Sequence, residues 1–248
     1  MIDILNTDVR PELIKRANAG IADKNMEIRV LNTIVDIVGL KKNIRGWKGV
    51  GTPAPEKRVW RFISFDPQTD KDKVERREHK RFRDNAQITL PAELEGWFKP
   101  EFDDSAWKSG MAPIGTGEFK HPQGLYSIPN VSEWGEGEFL LARTTFAITD
   151  ADLKHDYYNI AVLAANGYEI YLNGHRIEGY GWYQDNPFYR QIGLAGKALG
   201  YLQKGVNTLA VYACAEYPSQ MESGNGHIPK RAQIDCFIES LKKEDFDN

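Results

Sequence analysis

From residue 87 onward the chain is a series of short segments rich in β-branched and aromatic residues: FLLARTTFAI, NIAVLAA, YEIYLNGHRIEG, NTLAVYACAE and QIDCFIESL. Asn-Gly, glycine-rich or proline-containing turns separate them, which is the punctuation of strands joined by tight connections. No strand–helix–strand run occurs, so the pattern predicts an antiparallel sandwich rather than a parallel sheet. The alternation Tyr168–Glu169–Ile170–Tyr171–Leu172 marks a strand with one buried face. Asn173-Gly174 then supplies the residues of a type I′ hairpin turn.

Composition narrows the functional classes. The 248 residues allow one large β domain, or a compact domain with an appendage. Six Trp, eleven Tyr and eleven Phe can bury enough surface to exclude global disorder. No apolar run approaches the ~18 residues of a membrane span. A formal net charge of −3 gives no overall pull toward nucleic acid. Cys214 and Cys236 are too few for a disulfide scaffold and form no CxxC or CxxH zinc motif. On two late strands they are expected as buried free thiols, a disulfide being the alternative in an exported protein.

Residues 1–43 are predicted to be helical. Asp8 caps a first helix with Pro11 in its first turn and Leu13, Ile14 and Ala17 on one face. Asp23 caps a second, in which Ile28, Leu31, Val35 and Val38 share a stripe that ends at Gly39. Two short helices cannot bury both faces alone, so they pack on the rest of the chain or on helices upstream. A last pair of a helical repeat array is one such case. Residues 44–86 are a linker and first-strand region. IRGWKGVGTPAPE breaks regular structure, RVWRFISF has strand composition, and Lys71–Arg83 carries seven basic and three acidic residues. The acids dilute that field and no aromatic platform is interleaved, so a solvated charged face is expected, not a nucleic-acid site. Residues 87–241 are the sandwich and 242–248 a charged tail. The first residues lack the apolar core of a signal peptide; a piece cut from a longer exported protein would look the same.

Within the β region, Trp97-Phe98-Lys99-Pro100-Glu101-Phe102-Asp103-Asp104-Ser105-Ala106-Trp107 is followed by Met111-Ala112-Pro113-Ile114-Gly115. Then come LLARTTF (140–146), ANGYEIYLNG (165–174) and GVNTLAVY (205–212). This ordered series resembles the galactose-binding-like jelly-roll domain, the sugar-binding-type accessory domain attached to bacterial glycoside hydrolases of the β-galactosidase/β-glucuronidase kind. The resemblance covers roughly residues 90–241. It implies a mainly β (α+β overall) jelly roll, a non-catalytic accessory role in bacterial polysaccharide utilisation, and an extracytoplasmic place in the periplasm or at the cell surface. The first 86 residues match nothing in that domain. A long segment, EYPSQMESGNGHIPKRAQ, replaces the short hairpin before the final strand, so ligand residues do not transfer by position. In FDDSAW, Asp103 and Asp104 are expected to bond turn amides while Phe102 and Trp107 anchor the turn. Arg143 is expected to pair with a carboxylate or carbonyl at the sheet edge.

No catalytic constellation emerges. Asp103 and Asp104 have a structural role, and Glu133, Glu136 and Glu138 fall in a glycine-rich loop where solvated charge is expected. There is no G-x-S-x-G, P-loop or dinucleotide fingerprint. His155, His175 and His227 are the histidines a metal site could gather from distant strands, turn or surface positions being the expected role. A structural Ca²⁺ is compatible with the fold, but no acidic ligand string identifies one.

Binding chemistry concentrates in residues 178–191. Tyr180, Trp182, Tyr183, Phe188 and Tyr189 lie among Gln184, Asp185, Asn186 and Arg190, the mixture of rings and hydrogen-bonding groups that carbohydrate recognition uses. Trp134, Glu216 and His227 are candidate second contributors. The competing role for the same rings is an apolar plug that closes the barrel end or docks a neighbouring domain. The expected partner is accordingly a carbohydrate or a neighbouring catalytic or helical-repeat domain. In the second case the chain is a structural, protein-interaction domain that binds no sugar.

Overall fold

The computed structural model describes residues 47–65, 68–69, 88–116, 128–137, 139–180, 189–215 and 232–246. The expected helices of residues 1–43 and the basic stretch Lys71–Arg83 lie outside them.

Two sheets face each other. Sheet A contains β1 (Lys48–Gly49), β6 (Ile114–Gly115), β7 (Ser132–Glu133), β9 (Tyr157–Ala164), β12 (Arg190–Gly193) and β14 (Gln233–Leu241), in the order β12-β9-β14-β6-β7 with β1 also on β14. Sheet B contains β2 (Val59–Phe65), β5 (Lys108–Met111), β8 (Phe139–Ile148), β10 (Tyr168–Leu172), β11 (His175–Tyr180) and β13 (Gly205–Cys214), in the order β11-β10-β13-β8-β2-β5. A two-stranded ladder pairs β3 (Gln68–Thr69) with β4 (Ile88–Thr89). The pairing is antiparallel except for β6 with β7. This is the predicted β-sandwich. It begins earlier than the boundary at residue 87 suggests, since β2 lies between β8 and β5 and sends Trp60 and Phe62 into the core.

The side-chain period of two explains the layers. Tyr168, Ile170 and Leu172 of β10 point between the sheets with Val211 of β13, while Ile160 and Val162 of β9 and Ile234, Cys236 and Ile238 of β14 meet them from sheet A. Fully burying a side chain of this size stabilises by about 1.5–3 kcal/mol. The continuous apolar run FLLA in β8 has a different cause: this strand is buried on both faces. Leu140 and Ala142 join the inner core. Phe139 and Leu141 face outward, into a second core with Leu94, Trp97, Trp107, Ala210 and Tyr212. Residues 90–107 thus lie as a third layer on sheet B, with Phe98 stacked on Tyr171 at 4.7 Å and Phe102 tilted against Trp107 at 5.5 Å.

Arg143 fastens that layer. Its guanidinium donates to the carbonyls of Trp97, Lys99 (2.8 Å) and Phe102 (3.3 Å) and to Asp104 Oδ2 at 2.6 Å. Asp103 accepts from the Ser105 amide. The expected carboxylate and carbonyl partners are present, but the arginine sits on a central strand of its sheet, not at an edge. Asn173 (φ 49°) and Gly174 (φ 83°) form the I′ turn between β10 and β11. The Asn173 amide bonds Tyr201 O and Asn207 Oδ1, and its own oxygen accepts from the Thr208 amide.

Candidate functional site

The ends of β11 and β12 are where the sequence placed its binding residues. β11 is an outermost strand of sheet B and β12 an outermost strand of sheet A, and the Tyr180–Arg190 contact brings these two edges together. Tyr180 closes β11 and Arg190 opens β12. In the ladders Tyr180 lies opposite Tyr168, and Arg190 opposite Val162. Both therefore point to the space between the sheets. The Arg190 guanidinium sits over the Tyr180 ring at 5.0 Å, and that ring stacks with Tyr168 at 6.4 Å. Glu178, opposite Ile170, is on the same inward row.

Tyr168 is fully buried and its hydroxyl has no hydrogen-bond partner among the described residues. Burial pushes its ionisation well above the ordinary tyrosine range, and Arg190 pulls the other way. The rim is therefore a cation held on two stacked phenols.

Tyr189 turns the opposite way. Its hydroxyl donates to Asp235 Oδ2 at 2.5 Å and its ring tilts against Phe237 at 5.2 Å. Asp235, Phe237 and Glu239 alternate along the outward face of β14, where Gln191 Nε2 donates to Glu239 at 3.2 Å. Burial raises the Asp235 carboxyl to about 6 despite the Tyr189 hydroxyl and the Cys236 amide, and it raises Glu239 as well. The predicted cluster is thus divided by strand alternation: Tyr180 and Arg190 meet at the mouth, whereas Tyr189 belongs to the outside of sheet A. Trp182, Tyr183, Gln184, Asp185, Asn186, Phe188, Glu216 and His227 lie outside the described residues.

Trp134 requires a correction. It is 1% exposed and packs in the core between the sheets, so it offers no ring to a ligand. The glycine-rich loop around it hid this in the sequence, because loop composition predicts exposure. His155 bonds Ser240 Oγ through Nδ1, and His175 stacks on Tyr201 at 3.9 Å. Among the described residues no group of three or more His, Cys, Asp and Glu side chains could hold a metal ion. Cys214 and Cys236 are not joined by a disulfide and lie on different sheets, the Cys214 thiol donating to the Gly167 carbonyl. No helix among the described residues is long and apolar enough to cross a membrane.

Tyr168, Glu178, Gln191, Asp235, Phe237 and Glu239 are the members of these clusters that sequence reasoning did not select. The polar alternation Gln233, Asp235, Glu239 in the last strand was the available signal for the outer group. A separate open groove of about 630 Å³ lies at the opposite edge of sheet B, between Ile63–Phe65, Trp107, Lys108 and Gly135–Gly137.

No family model matches the chain, and no curated protein matches it. Solved structures do. A calcium-binding mutant of Bacteroides uniformis β-glucuronidase 2 is similar over 79% of this chain at 13% identity and a TM-score of 0.44. An uncultured Clostridium sp. β-glucuronidase is similar over 80% at 13% identity and 0.44, and a β-glycosidase from Bacteroides vulgatus over 77% at 16% and 0.37. The chain spans 18%, 30% and 20% of those three chains.

Proposed function

We propose that this chain is a non-catalytic, carbohydrate-binding accessory module of a bacterial polysaccharide-processing protein acting outside the cytoplasm. One observation carries the reading: the Tyr180–Arg190 contact at 5.0 Å ties the edge strands of both sheets together. It gives residues 181–188 two rigid anchors. Loops held this way on a stiff sandwich lose little entropy on binding. That segment brings Trp182, Tyr183 and Phe188 as stacking rings, and Gln184, Asp185 and Asn186 as hydrogen-bonding groups. Tyr180 has its ring engaged by Arg190 and Tyr168, so it serves as the base of the surface rather than as a stacking platform. Arg190, half-buried beside it, is a charged group at this edge. The resemblance of the ordered strand motifs to sugar-binding-type accessory domains supports the same reading.

The test is calorimetric titration against a panel of bacterial and plant oligosaccharides. Binding weakened at least tenfold by Trp182→Ala, with thermal stability kept, is the expected result. If no oligosaccharide binds and the substitution changes stability or self-association alone, the segment is a plug or a protein-docking element. That second reading has its own observation, the exposed cross-strand pair Val59 and Met111 on the β2–β5 edge.

A further inference from the structure

We propose that the groove beside β2, β5 and the Gly135–Gly137 loop is a second ligand site, which takes a small, singly charged carboxylate carrying hydroxyl groups. The groove is an opening between the sheets at the edge away from β11 and β12. There β5 is outermost on sheet B and β7 on sheet A, and Ser132 packs against Gly110 where the two edges meet. β2 pairs with β5 from Val59 opposite Met111 to Phe62 opposite Lys108, and residues 106–107 then leave the ladder. Among the described residues, β2 runs on to Phe65 with β8 as its ladder partner. That divergence opens a volume of about 630 Å³, within the roughly 300–1,000 Å³ of small-molecule sites.

The side-chain pattern changes at this opening. Trp60 and Phe62 of β2 point into the core, and by alternation Ser64 is next on the same row. Lys108, opposite Phe62, also stands on that row, so the apolar series ends in a hydroxyl and an ammonium. Such a break in an otherwise consistent pattern is typical of functional positions. An inward lysine on an edge strand also discourages edge-to-edge pairing. Ser64, one strand further in, has no part in that. A Cβ on Gly135 would stand 3.1 Å from Lys108 Nζ and 3.2 Å from Ser64 Oγ. The glycine thus keeps open the point on which both donors converge. Neither side chain makes an ion pair or hydrogen bond among the described residues. An oxyanion at that point receives one charge-assisted and one neutral hydrogen bond. Glu136 lines the same groove. It repels a second negative charge, which selects a carboxylate over phosphate, and it accepts from hydroxyls on the body of the ligand.

The test is an amide-shift NMR titration of the full chain with sodium gluconate, glucitol and inorganic phosphate. Gluconate is expected to shift Ser64, Lys108 and Gly135 saturably and to leave Tyr180 and Arg190 unmoved. Glucitol, which has the hydroxyls without the carboxylate, is expected to bind at least tenfold more weakly. Lys108→Met is expected to weaken gluconate at least tenfold, and Ser64→Ala more than threefold, each at the parent melting temperature. Glu136→Gln is expected to raise phosphate affinity more than threefold. No shift with gluconate, equal binding of glucitol, or tighter binding of phosphate than of gluconate by the parent would overturn the proposal. So would shifts confined to the β11–β12 mouth, or a Lys108→Met protein that self-associates yet binds gluconate as the parent does. The proposal does not rest on the sugar reading of residues 181–188, because the two sites report through different amides.

Discussion

Arg143 shows how much a single side chain holds. Its side chain is buried, and its fork meets the carbonyls of Trp97, Lys99 and Phe102 together with Asp104. Removing it leaves several acceptors dry, so Arg143→Ala is expected to cost about 3–5 kcal/mol. Arg143→Lys is expected to recover less than half, because an ammonium lacks the planar fork. Urea midpoints at unchanged slope check both. Asp235 makes a pH prediction. Its folded carboxyl is raised from 3.8 to about 6, so the native state holds more protons than the unfolded chain between those values. Stability from this group is therefore present at low pH, falls as pH rises across that window and is level above it. Glu239 acts in the same direction. Asp235→Asn removes the slope, and its advantage over the parent should grow by up to about 3 kcal/mol between pH 4 and pH 7.5. A pH-independent difference would contradict that assignment. The sequence exposed Arg143 through the LLARTTF resemblance. It could not expose Asp235, because the burial comes from the outer face of a sheet formed by strands far apart in the chain.

Elements were legible where one short stretch carries its own rule. Asn173-Gly174 dictates its turn by the sign of φ, and YEIYL dictates its buried face by alternation. RVWRFISF was recognisable as a strand, but its place beside β8 follows from ladders more than seventy residues distant in sequence. The loop holding Trp134 was misjudged for the same reason. Gly137 shows what its glycines do: with φ 93°, an added Cβ would stand 2.7 Å from the Phe65 amide nitrogen. Gly196 also has positive φ, 57°, yet nothing lies within 4 Å of such an atom. Gly196→Ala should cost about 1–3 kcal/mol, the backbone penalty alone, because φ 57° with ψ −126° is a conformation that residues with a Cβ avoid. Gly137→Ala should cost at least twice that, because the backbone must also move. Paired thermal melts decide; equal shifts would mean the Gly137 loop yields freely.

At the scale of the molecule, the Tyr180–Arg190 contact ties the edge strands of the two sheets together, and each sheet has an outer face. Residues 90–107 cover the outer face of sheet B. The aromatic content divides accordingly. Trp60, Trp97, Trp107 and Trp134 are buried, while Trp47 lies half-buried against Tyr157. Trp182, in the segment proposed to bind, is the fluorophore that tests the reading. The separation of Tyr189 from Tyr180 and Arg190 could not be read from a run of adjacent letters; it needed the register of β12 on β9. The most direct measurement is tryptophan emission of the full chain titrated with oligosaccharides. A saturable change, abolished by Trp182→Ala in a protein that melts at the parent temperature, is predicted. Flat titrations across the panel, or a signal that survives Trp182→Ala, would contradict a carbohydrate site at the β11–β12 mouth.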